Sequence, residues 1–193
     1  MNICRVSFAH PDAVKLNDRV QLEYAERYEE GDGDVTPLDT AMFEPPRGLY
    51  LIGYDDRGVP VATGGWRAQD EDEMGYVDGD AEIKRMYVVP EARGRGLSRL
   101  VLAALEADAR AAGRVRMVLE TGIKQPEAIG LYVSSGYEEC VKFGHYRHDP
   151  LSRCYAKALL PEPVRGSGTG SAEGRAGAAG AEGRRCGQGL GNG

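Results

Sequence analysis

The sequence predicts a mixed α/β domain arranged around one central sheet. Two observations carry this. Segments with the two-residue period of strands alternate with segments of helical period, in the order β-α-β-β-β-α-β-α-β-β. The chain, at 193 residues, is also long enough for one core of useful size and too short for two full domains. Its 41% hydrophobic and 28% charged residues are ordinary for a globular protein. No apolar run approaches the ~18 residues that a membrane-spanning helix needs, so that class is excluded.

The first element is a strand over residues 2–8. A helix follows over 11–30, where Leu16, Val20, Tyr24 and Tyr28 recur every fourth position. An acidic loop then runs to about residue 47. Residues 48–54 and 59–67 read as an antiparallel hairpin about the turn Asp55-Asp56-Arg57-Gly58. After a second acidic loop, 69–80, a strand over 81–89 stops at Pro90, which cannot donate to a sheet ladder. The strongest helix covers 97–112, rich in alanine and leucine, with Gly113 in the position glycine favours after a helix. Residues 115–120 make a short apolar strand, 126–135 a helix closed by Gly136, and 137–142 and 152–159 the final strands.

The domain is expected to end at residue 160. Eleven of the 27 glycines fall in 161–193 among alanine, arginine and glutamate, a composition that cannot bury enough apolar surface to offset its chain entropy. That segment reads as a disordered Gly/Ala-rich tail. It holds four Arg against three Glu, which leaves residues 1–160 carrying −7 of the net −6. A domain this acidic repels a phosphate backbone, so nucleic acid is not an expected partner, nor is a membrane. The N-terminus lacks a basic stretch followed by an apolar run, which points to a cytoplasmic protein. Cys4, Cys140, Cys154 and Cys186 are scattered without a C-x-x-C pair and read as free thiols. His145 and His148 lie in a loop without a third ligand nearby, so no metal is expected.

The informative segment joins strand 81–89 to helix 97–112: Arg93-Gly94-Arg95-Gly96-Leu97-Ser98. Two glycines at a helix entry let backbone N–H groups turn toward one point, where the helix dipole adds partial positive charge. The two arginines bring guanidinium forks that match phosphate oxygens. The segment lacks the Gly-Lys-Ser/Thr ending of a P-loop and the third glycine of a dinucleotide fingerprint, which argues against both classes.

At these residues the chain resembles the GNAT superfamily of acetyl-CoA-dependent N-acetyltransferases, over roughly residues 3–159. The family pattern Arg/Gln-x-x-Gly-x-Gly/Ala, which holds the pyrophosphate of coenzyme A, falls on Arg93 to Ser98, with serine in the last position. A second segment, Ala128-Ile129-Gly130-Leu131-Tyr132-Val133-Ser134-Ser135-Gly136-Tyr137, is similar to the family's Ala-x-x-Leu-Tyr-x-x-x-Gly-Phe/Tyr motif. The resemblance implies a mostly antiparallel sheet of about seven strands flanked by helices, with strands 4 and 5 splayed for the cofactor. It implies acetyl-CoA as cosubstrate, no metal, and transfer by direct attack of a primary amine, with a small molecule the favoured acceptor and a homodimer allowed.

The resemblance also assigns roles. Tyr132 protonates the departing thiolate, which a phenol of pKa near 10 can do while staying protonated at neutral pH. Glu82 stands where some relatives keep a general base, and Glu120 is the reserve. A backbone N–H near Met86, Tyr87 and Val88 meets the oxyanion, with the pantetheine arm alongside. Gln125 replaces an asparagine that contacts the same arm. A non-catalytic acyl-CoA-binding module is the rival, since it needs the glycine cradle but neither Tyr132 nor a base. The two acidic loops, if they rim the cleft, would concentrate a cationic amine there.

Overall fold

A computed structural model describes residues 1–28 and 33–159. Within them the chain runs β1 (Asn2–Arg5), α1 (Pro11–Tyr28), β2 (Gly48–Tyr54), β3 (Pro60–Gln69), β4 (Asp80–Val88), α2 (Leu97–Ala111), β5 (Arg116–Gly122), α3 (Pro126–Val133), β6 (Glu138–Glu139) and β7 (Ser152–Ala158). This is the expected order. The sheet is β1-β2-β3-β4-β5-β7-β6, and each neighbouring pair is antiparallel except β4 with β5. Positions 29 and 30 of the expected helix, and the tail 161–193, lie outside the described residues.

Two strands are shorter than expected. β1 stops at Arg5 because the chain turns at once into α1: the His10 N–H bonds the Ser7 carbonyl at 2.9 Å, and His10 Nδ1 accepts the Asp12 N–H at 3.2 Å as a cap, with Pro11 opening the helix. β6 keeps only Glu138 and Glu139, both exposed at the sheet edge. Beyond them the chain dives inward to bury Phe143 against Tyr76, ring centroids 5.0 Å apart. Burying that ring displaces the strand. Cys140 and Cys154 are free, as expected, whereas Cys4 is disulfide-bonded.

The helices cover both faces of the sheet. On one, α2 buries Leu97, Val101, Leu102, Leu105 and Ala109, and Trp66 of β3 donates its indole N–H to Asp108 at 2.8 Å. On the other, α1 buries Ala13, Leu16 and Val20, and the Tyr50 hydroxyl of β2 donates to Asn17 at 2.7 Å. Alternation along β3 separates the two: a Cβ on Gly64 would meet Val101 of α2, while one on Gly65 would meet Tyr50 and Phe43.

The opening that matters lies between β4 and β5. Their parallel pairing covers only Asp80↔Arg116, Ala81↔Met117 and Glu82↔Val118. After that β5 stays with β7 to Gly122↔Ser152, while β4 stays with β3 and carries one extra residue, since Thr63 pairs with Tyr87 but Gly65 with Lys84. The extra residue is a bulge, and Arg85 within it has φ of +57°. Bulge and divergence together make the splay between strands 4 and 5.

Candidate active site

Two cavities open into the splay. The first, about 350 Å³, is walled by α1, β4, β5, α3 and the loop before β7. The second, about 320 Å³, runs from α1 and β4 to the start of α2. They share Tyr24, Met86, Gln125, Ala128 and Tyr132.

At the far end of the second cavity, Gly94 and Gly96 both have φ of +74°, the left-handed region in which only glycine escapes a Cβ penalty. A Cβ at either would meet no atom within 4 Å, so the space before them is open. Gly96 is the N-cap of α2 and supplies no side-chain acceptor, which leaves the first-turn N–H groups and the helix dipole facing outward. This cradle suits a diphosphate. Leu97 and Ser98 line it, as do Met86, Tyr87 and Val88 further along. Arg93 lines it too, but its Nε donates to the Val88 carbonyl at 3.0 Å and its guanidinium pairs with Glu23 of α1. Arg95 is exposed and does not line either cavity.

Tyr132 is 5% exposed, edge-on to Tyr137 with centroids 5.6 Å apart, and burial pushes its phenol pKa well up, so the hydroxyl keeps its proton. Gln125 begins α3 and donates to the Tyr28 hydroxyl at 3.4 Å. Tyr28 itself reaches across because residue 122 is glycine: a Cβ there would lie 1.6 Å from its oxygen. Tyr24 and Tyr28 therefore line the cavities, while Tyr50 belongs to the core.

The two candidate bases stand in different surroundings. Glu82 is fully buried and lines neither cavity. Arg67 Nε lies 2.7 Å from it, Lys84 Nζ 2.8 Å and Gln69 Nε2 3.0 Å. Burial alone would raise its pKa, but Lys84 and Arg67 outweigh that and hold the carboxyl below the usual range. This makes it a counter-ion, poorly placed to take a proton from an acceptor. Glu120 is half-buried in the wall of the first cavity, and burial raises its pKa. Ser152 Oγ donates to its Oε1 at 2.6 Å, which leaves Oε2 for another partner.

The second acidic loop does not rim the cleft. Asp70 pairs with Arg114 at 2.9 Å, Asp72 and Asp78 accept backbone N–H groups of their own loop, and Asp80 is buried on Arg116 at 2.7 Å. None of these lines a cavity, whereas Asp34 does; Glu29, Glu30 and Asp32 lie outside the described residues. The first cavity also contains Lys84, Arg85, Tyr146 and Asp149, none singled out from sequence. Only Lys84 left a trace, two residues from Glu82 on the same strand face.

Residues 15–137 match the acetyltransferase (GNAT) family. An IAA acetyltransferase of Azospirillum brasilense is 44% identical over 133 residues, 66% of this chain and 82% of that protein. A Klebsiella pneumoniae crystal structure, provisionally named an acyl-CoA N-acyltransferase, shares 30% identity at a TM-score of 0.67 and covers 82% of this chain and 97% of its own. An aminoglycoside 6′-N-acetyltransferase solved with coenzyme A, at 15% identity and a TM-score of 0.59 over 84% of this chain and 99% of its own, shares the fold. The matched span holds most of α1, the splay, the glycine cradle and α3, and the chain belongs to the acetyltransferase (GNAT) family, as an N-acetyltransferase.

Proposed function

We propose that the protein moves the acetyl group of acetyl-CoA to the primary amine of a small molecule by direct attack. The observation that carries this is the meeting of the two cavities at Tyr132. One cavity ends in a cradle for a diphosphate; the other is lined by titratable groups; the phenol stands where thioester and amine would come together.

The residues divide the work accordingly. The N–H groups at Gly94, Gly96, Leu97 and Ser98 hold the pyrophosphate of the cosubstrate, and Arg93, paired with Glu23, lines the same cavity. Met86, Tyr87 and Val88, on the edge of β4 that β5 has left, receive the pantetheine arm as an added strand and offer an N–H to the carbonyl oxygen. Gln125 touches both cavities and borders the same arm. At pH 7 an amine of pKa ~10.4 needs about 4.6 kcal/mol to lose its proton, so a base is useful. Glu120 takes that role in place of Glu82, because it faces the acceptor cavity and its raised pKa brings it nearer the working pH. Tyr132 returns a proton to the departing sulfur.

Tyr132→Phe tests this reading, since it keeps the ring and its packing on Tyr137 while removing the donor. With an accepted amine, kcat should fall by ~10²–10⁴-fold while acetyl-CoA affinity stays within a few-fold. A phenylalanine variant with wild-type kcat would remove the phenol from the reaction.

A further inference from the structure

The first cavity carries charges of both signs, with Lys84 and Arg85 against Asp34, Glu120 and Asp149. Most of them are already matched inside the protein. Lys84 sits on Glu82 at 2.8 Å, Asp149 Oδ1 accepts the Leu151 N–H at 2.7 Å, and Asp34 Oδ1 accepts that of Thr36 at 2.9 Å. Arg85 is different. Its Nη2 donates to the Asp34 carbonyl at 3.1 Å, but Nη1, though 3.3 Å from Asp34 Oδ2, is buried without a hydrogen bond. Thr121 Oγ1, in the wall of the same cavity, is also buried without one. Buried donors left unmatched are unfavourable, and a guanidinium more so than an amide. The chain further holds Arg85 at a positive φ that side-chain-bearing residues rarely adopt, strain of the kind retained where a side chain has to be aimed.

We infer that the acceptor is a zwitterion of amino-acid type, whose carboxylate is received by Arg85 with Thr121 and whose amine lies toward Glu120. The inference rests on the acceptor occupying the first cavity, as proposed above. A carboxylate supplies the acceptor atoms that both orphan donors lack, and a guanidinium fork matches it well. An acceptor bearing only amines would leave both orphan donors unmatched, which selects against it. Tyr24, Tyr28, Ile83 and Leu151 leave apolar wall for a side chain, and about 350 Å³ suits a single amino acid at the small end of ligand sites.

The test measures thiol release from acetyl-CoA by the full chain with each of the twenty standard α-amino acids and with its decarboxylated counterpart. For the best substrate, the amino acid should exceed its decarboxylated partner by at least about tenfold in kcat/KM, the scale of a lost hydrogen bond to a charged group. In Arg85→Asn, whose side chain tolerates the left-handed backbone, that ratio should fall to a few-fold or less, mainly through KM. Thr121→Val, nearly the same shape, should lower it by a smaller factor and decides with the wild type if Arg85→Asn does not fold. A wild type that uses the decarboxylated amines equally well or better overturns the inference while leaving amine acetylation intact. If neither class releases thiol although calorimetry detects acetyl-CoA binding, the zwitterion is overturned, and amine acetylation fails with it if a wider panel of primary amines is inert as well.

Discussion

Replacing Glu82 by glutamine should destabilise the protein severely without removing the base. The carboxylate is fully buried and lies within 3.0 Å of Arg67, Lys84 and Gln69. Glutamine keeps the shape but leaves two cations, both with side chains nearly out of water, facing a neutral amide. Removing one partner of a buried pair typically takes away ~3–5 kcal/mol, which for a chain of this size lowers Tm by roughly 6–20 °C. The double variant Glu82→Gln/Lys84→Met should recover at least ~1 kcal/mol, because it removes one stranded charge as well. Since the folded carboxyl is held below its unfolded value, its contribution is complete above the unfolded pKa of about 4.3 and is lost as pH falls from there through the folded value. Wild type should therefore lose stability more steeply than Glu82→Gln in that acid window. Urea unfolding followed by circular dichroism, repeated from pH 7 to pH 3, measures both. A Glu82→Gln variant within ~0.5 kcal/mol of wild type at pH 7 would refute the counter-ion assignment. So would a variant that folds stably and loses the acid limb of its kcat/KM profile, since the limb would then belong to Glu82.

In Glu120→Gln that limb should disappear, with kcat down ~10²–10⁴-fold; in wild type it should lie above the ordinary glutamate value of about 4.3, because burial raises the carboxyl. Ser152→Ala, by removing a donor to the charged form, should move the limb to still higher pH, and an unmoved limb would detach Ser152 from the base. Gly96→Glu should abolish acetyl-CoA binding in calorimetry, because it puts a carboxylate in the cradle. Gly113→Glu is its control: Gly113 has a similar φ of +79° and equally open surroundings but lies outside both cavities, so it should share the ~1–2 kcal/mol of backbone strain and keep the affinity.

What could be read from sequence was local. The face Leu97, Val101, Leu102 and Leu105 announces α2 by its period, and Gly94 and Gly96 announce a turn at its start, since both signals lie within a few residues of the structure they make. The choice between Glu82 and Glu120 is of another kind. Both are glutamates on neighbouring strands, and what separates them is Arg67, fifteen residues before Glu82 and paired with it across the sheet. That register is a tertiary fact. The second acidic loop shows the same limit: a count along the chain treats Asp70 and Asp80 as free charge, whereas Arg114 and Arg116, more than thirty residues away, neutralise them. Arg85 was hidden most deeply. In a regular strand Lys84 and Arg85 would point to opposite faces. The extra residue in β4 breaks the alternation at this point, and both cations line the first cavity, whose character thus depends in part on how β3 and β4 pair. The residues proposed to bind the cosubstrate are thus legible in short motifs. Those proposed to choose the acceptor are brought together by register, and their chemistry appears only when the strands are laid side by side.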